Sequence, residues 1–279
     1  MNELNSTCVT IGFFDSMHLD HQKIIDMVET IAKEKNLAPK VISLFQADYS
    51  VITTEIEKQW LLRNSQVDFL SIEFTPQFDI EKILLAANAK TFVIGENFAI
   101  GSITVKEIAK ICELHAIELV ICDVVRTKEG APISTNLVKE ALSNNNLVEF
   151  YALCAHHYIL IEKIIVGKQI GRTVGMPTAN SDYSAQKVLP QFGVYATAFY
   201  VDSEKCKGMT NIGTRPTVDS ESRISIETFI LDFDKMIYGK TCIVEIISFI
   251  RGVKKFNGLE EVKLQVQEDI KKAATLVHF

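Results

Sequence analysis

The sequence predicts a chain in two parts: an α/β half built on a parallel sheet, then an antiparallel β half that ends in a helix. In the first half, short apolar runs alternate with segments whose apolar residues recur at helical spacing, which is typical of a parallel sheet with helices on its faces. After about residue 158, β-rich runs are separated by Gly, Pro, Asn and Asp, which indicates an antiparallel barrel or sandwich. The apolar fraction of 47% and charged fraction of 23% are ordinary globular values.

The first half opens with a buried strand, because residues 8–12 are almost continuously apolar. A helix is predicted over 21–36, where Ile24, Val28 and Ile31 recur on one face. The other predicted strands are 41–45, 67–72, 91–95 and 118–122, and the other predicted helices are 54–64, 80–88, 105–115, 135–142 and 147–155.

The second half contains β-rich runs followed by one amphipathic helix, predicted over 259–274. The change of pattern predicts a boundary near residue 150, with domains 1–150 and 151–279. The predicted β runs are 158–167, 193–200, 224–231 and 242–250.

Charge and composition exclude several classes of protein. The net charge of −6 argues against a nucleic-acid partner. No apolar stretch reaches the roughly 18–20 residues of a membrane helix, and no secretory signal is visible. Six widely spaced cysteines without a CxxC motif indicate reduced thiols in the cytoplasm. The sequence gives no indication of the oligomeric state.

A polar segment, residues 12–21, lies between the first predicted strand and the first predicted helix. Ligands of open α/β sheets bind at the carboxyl ends of strands, and amides at a helix N-terminus attract phosphate. His18 and His21 could add hydrogen-bond donors to such a phosphate. Asp20 is expected to cap the helix that begins at His21.

A glycine-rich segment follows the first predicted strand of the second half. Its glycines would let backbone amides approach phosphates, with added positive charge from its basic residues. Thr178 and Asn180 would share one face of an extended segment and offer hard oxygen ligands to Mg²⁺. Taken alone, however, these two residues favour a local turn stabilised by their own side chains. The predicted phosphate-binding residues are Gly167, Lys168, Gly171 and Arg172.

These motifs resemble those of the bacterial bifunctional riboflavin kinase/FMN adenylyltransferases (FAD synthetases). The resemblance rests on 12–21, 95–101 and 133–139 in the first half, and on 167–180, 211–217 and 226–233 in the second. It implies a Rossmann-like nucleotidyltransferase domain and a C-terminal six-stranded antiparallel Greek-key β-barrel with a terminal helix.

The resemblance implies ATP-dependent phosphorylation of riboflavin to FMN, with ATP, Mg²⁺ and flavins as ligands. The resemblance further implies that Glu227 is the general base, that Thr178 and Asn180 bind Mg²⁺ and ATP phosphates, and that Arg251 lies near the flavin. Glu227 alternates with apolar neighbours and is expected to point into the barrel mouth. The adenylyltransferase-like residues are Gly12, Asp15, His18, His21 and Asn97.

The first half departs from the family pattern at several motif positions. Phe13 stands where the family has Asn, Ser16 and Asp20 where it has Gly, and Ala99 and Leu137 where it has Arg. Each change removes a phosphate contact or opposes one. We therefore expect a riboflavin kinase with weak or absent FMN adenylyltransferase activity. The alternatives are a fully bifunctional enzyme that makes FMN and then FAD, and a flavin- or nucleotide-binding regulator without turnover.

Overall fold

The structure, a computed structural model, describes residues 6–166, 178–215 and 223–279. The chain divides into two compact units, one of Met1–Val138 with Leu153–Ala155 and one of Lys139–Ala152 with His156–Phe279. The boundary predicted near residue 150 therefore falls in a stretch where the chain passes from one unit to the other more than once.

The first unit is a parallel sheet in the order β3-β2-β1-β4-β7, with helices on both faces. The order reverses between β1 and β4, which marks the ligand-binding crevice of doubly wound sheets, and this confirms the Rossmann-like prediction. Its strands are β1 Thr7–Gly12, β2 Ala38–Phe45, β3 Asp68–Glu73, β4 Ala89–Gly95, the hairpin pair β5 Ala99–Ile100 and β6 Ile103–Thr104, and β7 Glu118–Cys122. Its helices are α1 Leu19–Lys35, α2 Glu55–Leu61, α3 Ile80–Ala86 and α4 Val105–Leu114; α5 Thr135–Ser143 and α6 Leu147–Cys154 follow at the change of unit.

The second unit is a closed antiparallel barrel in the order β10-β11-β12-β9-β8-β13. Strands β10 to β12 follow one another as neighbours and β13 returns beside β10, which is the Greek-key arrangement. The sequence pattern did not predict strands β9 and β11, because both are rich in polar residues. The elements are β8 Tyr158–Ile165, β9 Thr178–Asp182, β10 Gly193–Val201, β11 Glu204–Arg215, β12 Arg223–Ile230, β13 Thr241–Gly252 and the terminal helix α7 Leu259–Leu276.

The two surfaces of the barrel wall differ in chemistry. Inside, the hydroxyls of Thr197, Thr210 and Thr228 form a hydrogen-bonded chain at 2.8–2.9 Å, and all three residues are fully buried. Outside, α7 packs on an apolar cluster that includes Val194 and Met209. The two surfaces therefore assign each strand residue to the interior or to the outer face.

Within the described residues, no helix is long and apolar enough to cross a membrane. All six cysteines are free thiols, and five of them are buried.

Candidate active site

A row of directly opposed residues crosses the outer face of the barrel. Asn180 of β9 pairs with Glu227 of β12, and Glu227 pairs with Asn211 of β11. The row continues through Val194 of β10 to Arg251 of β13. Directly opposed residues of antiparallel strands project to the same side, with Cβ atoms about 4.5–5.5 Å apart. We refer to these five residues as the cross-strand row.

Thr178 and Asn180 lie in an extended strand, and not in the local turn that their residue types alone favoured. Because strand side chains alternate, the two share a face, and both are on the face of Glu227. Thr178 is opposite Phe229, which lies two residues beyond Glu227. The barrel thus brings together the three residues expected to bind metal and remove the proton.

Glu227 does not point into the barrel, so that expectation is wrong. Its neighbours Ile226 and Thr228 are buried on the inner side, and the Thr228 hydroxyl belongs to the interior chain. Alternation therefore puts Glu227 on the outer face, where it is half-buried. A carboxylate in this position can reach a ligand bound on the barrel wall.

The donor set at Thr178 and Asn180 fits Mg²⁺. A hydroxyl and an amide carbonyl are hard oxygen donors, and Mg²⁺ commonly takes one or two protein oxygens beside phosphate oxygens and water. Asn180 is 6% exposed and its amide nitrogen donates to the Thr178 backbone carbonyl at 3.4 Å. This bond turns the side chain of Asn180 along the strand that carries Thr178.

A cavity of about 380 Å³ begins at Thr178. Apolar side chains and the Tyr238 ring dominate its wall, in the segment that follows β12. Sequence reasoning missed this segment as a site, because it has no periodic pattern. The lining residues that come from this segment are Phe233, Asp234, Lys235, Met236, Ile237 and Tyr238.

Two other parts of the kinase prediction concern the glycine-rich phosphate-binding segment and Arg251. Gly167, Lys168, Gly171 and Arg172 lie outside the described residues. Arg251 is described, and its Nε and Nη2 atoms each lie 2.8 Å from Oδ2 of Asp269 in helix α7. Its place near a flavin stays a prediction.

In the first unit, the segment after β1 is a tight turn with unusual backbone angles. Phe14, Ser16 and Met17 have φ values of 48°, 67° and 47°, in the left-handed region. Non-glycine residues in this region cost about 1–2 kcal/mol each unless the surroundings hold them. Ser16, which stands where the resemblance implies glycine, therefore occupies a position whose backbone favours glycine.

Asp15 holds this turn against the chain before α2. Its Oδ1 atom accepts hydrogen bonds from the backbone amides of Ser16, Ile52 and Thr53 at 2.8–2.9 Å. The carboxylate thus stabilises the turn, and Asp15 also lines the crevice at the end of β1.

Lys58 holds the same turn from the other side. Its Nζ donates to the Phe13 carbonyl and to Glu55 Oε1, each at 2.5 Å, and to Ser43 Oγ at 3.1 Å. The residue is 2% exposed. Sequence reasoning missed Lys58, because a lysine on a short helix is typical of a solvent-facing residue.

His18 and His21 stack on each other, with ring centroids 3.7 Å apart. Burial lowers the pKa of His18 to about 4. Burial also lowers the pKa of His21 well below its usual range, and the charges of His18 and Lys58 act in the same direction. Each Nδ1 is buried without a hydrogen-bond partner among the described residues. Neutral rings offer donors to an anion but no positive charge.

Asp20 does not cap a helix at His21, so that expectation is wrong. Helix α1 begins at Leu19, and His18 occupies the cap position. The Asp20 carboxylate instead accepts a hydrogen bond from the Val125 backbone amide at 2.7 Å. Only the tertiary fold brings residue 125 within reach.

The crevice at the ends of β1 and β4 is a cavity of about 220 Å³. The structure brings four of the five predicted adenylyltransferase-like residues to its wall, whereas His18 lies behind His21. Its lining includes three carboxylates and, among the described residues, no lysine or arginine. The four predicted residues are Gly12, Asp15, His21 and Asn97, and the carboxylates are those of Asp15, Asp20 and Glu96.

Family models match both units. The riboflavin kinase model matches residues 154–277, and the FAD synthetase model matches residues 1–136. A crystal structure of a Streptococcus pneumoniae protein described as a macrolide-efflux protein superposes with a TM-score of 0.82 at 24% identity, over 96% of this chain and 94% of that chain. This likeness shows the fold alone.

Curated relatives match this chain over nearly its whole length. The bifunctional riboflavin kinase/FMN adenylyltransferase of Listeria monocytogenes is 30% identical, over 94% of this chain and 89% of the relative. That of Escherichia coli K12 is 30% identical, over 94% of this chain and 90% of the relative. The chain therefore belongs to the bifunctional riboflavin kinase/FMN adenylyltransferase family.

Proposed function

We propose that the barrel phosphorylates the 5′-hydroxyl of riboflavin with ATP, and that the first unit has weak or absent FMN adenylyltransferase activity. The observation that carries the kinase proposal is the direct pairing of Asn180 with Glu227, with Thr178 on the same face. Two neutral oxygen donors and one carboxylate are what a metal-chelated triphosphate and an attacking alcohol need.

Thr178 and Asn180 would hold Mg²⁺ through their side-chain oxygens, and the ion would neutralise phosphate charge. Glu227 then accepts the proton of the riboflavin hydroxyl as its oxygen attacks the γ-phosphorus. The bond from that phosphorus to the bridging oxygen of ADP breaks, and FMN and ADP leave. Alignment and charge neutralisation account for most of the acceleration in such transfers.

The cavity beside Thr178 suits the nucleotide base. It is largely apolar, it carries the Tyr238 ring and it begins at a proposed metal ligand. Ligand pockets of this kind bind flat heteroaromatic groups through apolar contact and a few polar ones. A base in this cavity places the phosphates along β9.

Electrostatics support the second part of the proposal. A carboxylate at Asp20 about 5 Å from a phosphate charge costs roughly 3 kcal/mol at an effective dielectric of 20. Asp15 adds negative charge to the same crevice, Glu96 is partly compensated by Arg126, whose Nη2 lies 4.0 Å from its carboxylate, and His21 is neutral. A triphosphate therefore meets repulsion where an adenylyltransferase needs attraction.

A working bifunctional enzyme is the second candidate. It is favoured by the crevice itself, which retains His21 and Asn97 at the carboxyl edge of the sheet, and by the match of the FAD synthetase model. The two candidates differ in one product, FAD.

The products decide between them. We expect the full chain, incubated with riboflavin, ATP and Mg²⁺, to accumulate FMN, and to make little FAD when it is supplied with FMN and ATP. FAD formed from FMN as fast as FMN is formed from riboflavin would establish the bifunctional enzyme. No FMN at all would overturn the kinase proposal and leave the regulator without turnover as the remaining alternative.

Glu227→Gln tests the base. It should lower kcat by about 10²–10⁴-fold, since this is the usual contribution of general-base catalysis. Glu245→Gln is the matched control, because Glu245 lies on β13 with its carboxylate already bound to His157 and Tyr200 at 3.0 and 2.6 Å. The control should keep the wild-type kcat. A loss of less than about tenfold for Glu227→Gln would exclude the role.

A further inference from the structure

Helix α7 borders the cross-strand row. Its residues Val266 and Ile270 pack in the apolar cluster that contains Val194 of the row. Phe229 belongs to the same cluster and lies two residues beyond Glu227 on the same face. The helix therefore covers the outer face of the barrel next to Glu227, on the side opposite to Asn180.

A buried ion pair ties this helix to the row. Both Nε and Nη2 of Arg251 contact Oδ2 of Asp269 at 2.8 Å, and the Asp269 side chain is fully buried. Gln265 donates to the other oxygen, Oδ1, at 3.1 Å. Apolar residues of similar volume commonly stabilise a fold as well as a buried ion pair does. What such a pair adds is a defined geometry, here between α7 and the end of the row.

The direction of the acceptor substrate follows from the proposed kinase site, on which this inference rests. With phosphates at Thr178 and Asn180 and the reacting hydroxyl at Glu227, the rest of riboflavin must extend away from β9. Val194, which lies between Glu227 and Arg251 in the row, is 4% exposed beneath α7, so this path runs along the edge of the helix and not over the row itself. The apolar side chains beside this path come from Phe229 and helix α7.

We propose that Asp269 is a positioning residue for the flavin. Acting through Arg251, it fixes α7 as the wall against which the isoalloxazine ring lies. ATP binds on the opposite side of Glu227, so its binding does not depend on this contact.

The test separates the two substrates. Asp269→Asn removes the charge and keeps the shape, and it should raise KM for riboflavin about tenfold while KM for ATP stays within about twofold. Gln265→Met, which removes one hydrogen bond and keeps the charge, should give a smaller rise of the same kind. Glu261→Gln is the matched control, because Glu261 lies on the same helix in an exposed pair with Lys254. Its kinetic constants should equal those of the wild type.

Thermal unfolding of each variant distinguishes positioning from stability. A lower Tm with an unchanged KM for riboflavin in both variants would show that the pair only stabilises the fold, and would overturn the proposal. An equal rise in both KM values would overturn it as well. If Asp269→Asn does not fold, Gln265→Met alone decides by the same criteria. A wild-type protein that makes no FMN overturns the proposed function and this inference with it.

Discussion

Acidification should destabilise the first unit through the stacked histidines. Burial lowers the pKa of His18 from its ordinary 6.5 to about 4 in the folded chain. Between these values the unfolded chain binds more protons than the folded one, so stability falls as the pH falls through this window. The contribution of His18 is complete above about pH 6.5 and is lost progressively down to about pH 4.

The size of the effect follows from the shift. A difference of 2.5 pKa units corresponds to about 3 kcal/mol over the whole window, and to about 2 kcal/mol between neutral pH and pH 5. His21 adds to the loss in the same direction, because its pKa is lowered as well. His18→Leu removes one titrating ring and should reduce the pH dependence by about 2 kcal/mol over this interval.

The single tryptophan reports on this unit. Trp60 lies in α2, so its fluorescence during urea unfolding of the full chain follows the first unit. The free energy of unfolding is compared at pH 7 and pH 5 for the wild type, His18→Leu and the exposed control His278→Gln. Groups other than His18 contribute to the pH dependence of all three proteins. The difference between the stability losses of the wild type and His18→Leu therefore isolates the contribution of His18. Equal losses in the wild type and His18→Leu would refute the reasoning.

Three further predictions concern other contacts. Thr178→Val should raise the Mg²⁺ concentration needed for half-maximal FMN formation about tenfold or more, since a polar contact to a charged group contributes about 1.5–3 kcal/mol; an unchanged Mg²⁺ dependence would exclude the ligand role. Lys58→Met should destabilise the first unit by about 3 kcal/mol in the Trp60 assay, because Glu55 and the Phe13 carbonyl lose a buried partner; wild-type stability would contradict this. Gly208→Ala should lower the stability of the barrel by about 1–3 kcal/mol, because its Cβ would lie 2.8 Å from Oγ1 of the buried Thr197; an unchanged Tm by circular dichroism would contradict it.

Local periodicity predicted most of the elements. The strands of the parallel sheet are apolar on both faces, and the helices carry one apolar stripe. Each element can therefore be recognised within a short window of sequence. Strands β9 and β11 could not be recognised in this way, because their many polar residues resemble those of a loop. Short motifs, by contrast, placed both candidate sites on the chain.

Long-range contacts could not be read in the same way. Asp20 bonds to the Val125 amide and Lys58 reaches the Phe13 carbonyl, across 105 and 45 residues of chain. Nothing in the sequence around either residue indicates its partner. Both were accordingly misjudged or overlooked.

The sequence by itself determined the fold class and the family, and it named the residues that we propose as the reacting groups. The tertiary structure decided which of these groups meet, since strand register pairs Asn180 with Glu227 and sets Glu227 outside the barrel. The physical reason is that a shift of one residue in register moves every side chain to the opposite face, and register depends on how the whole barrel closes.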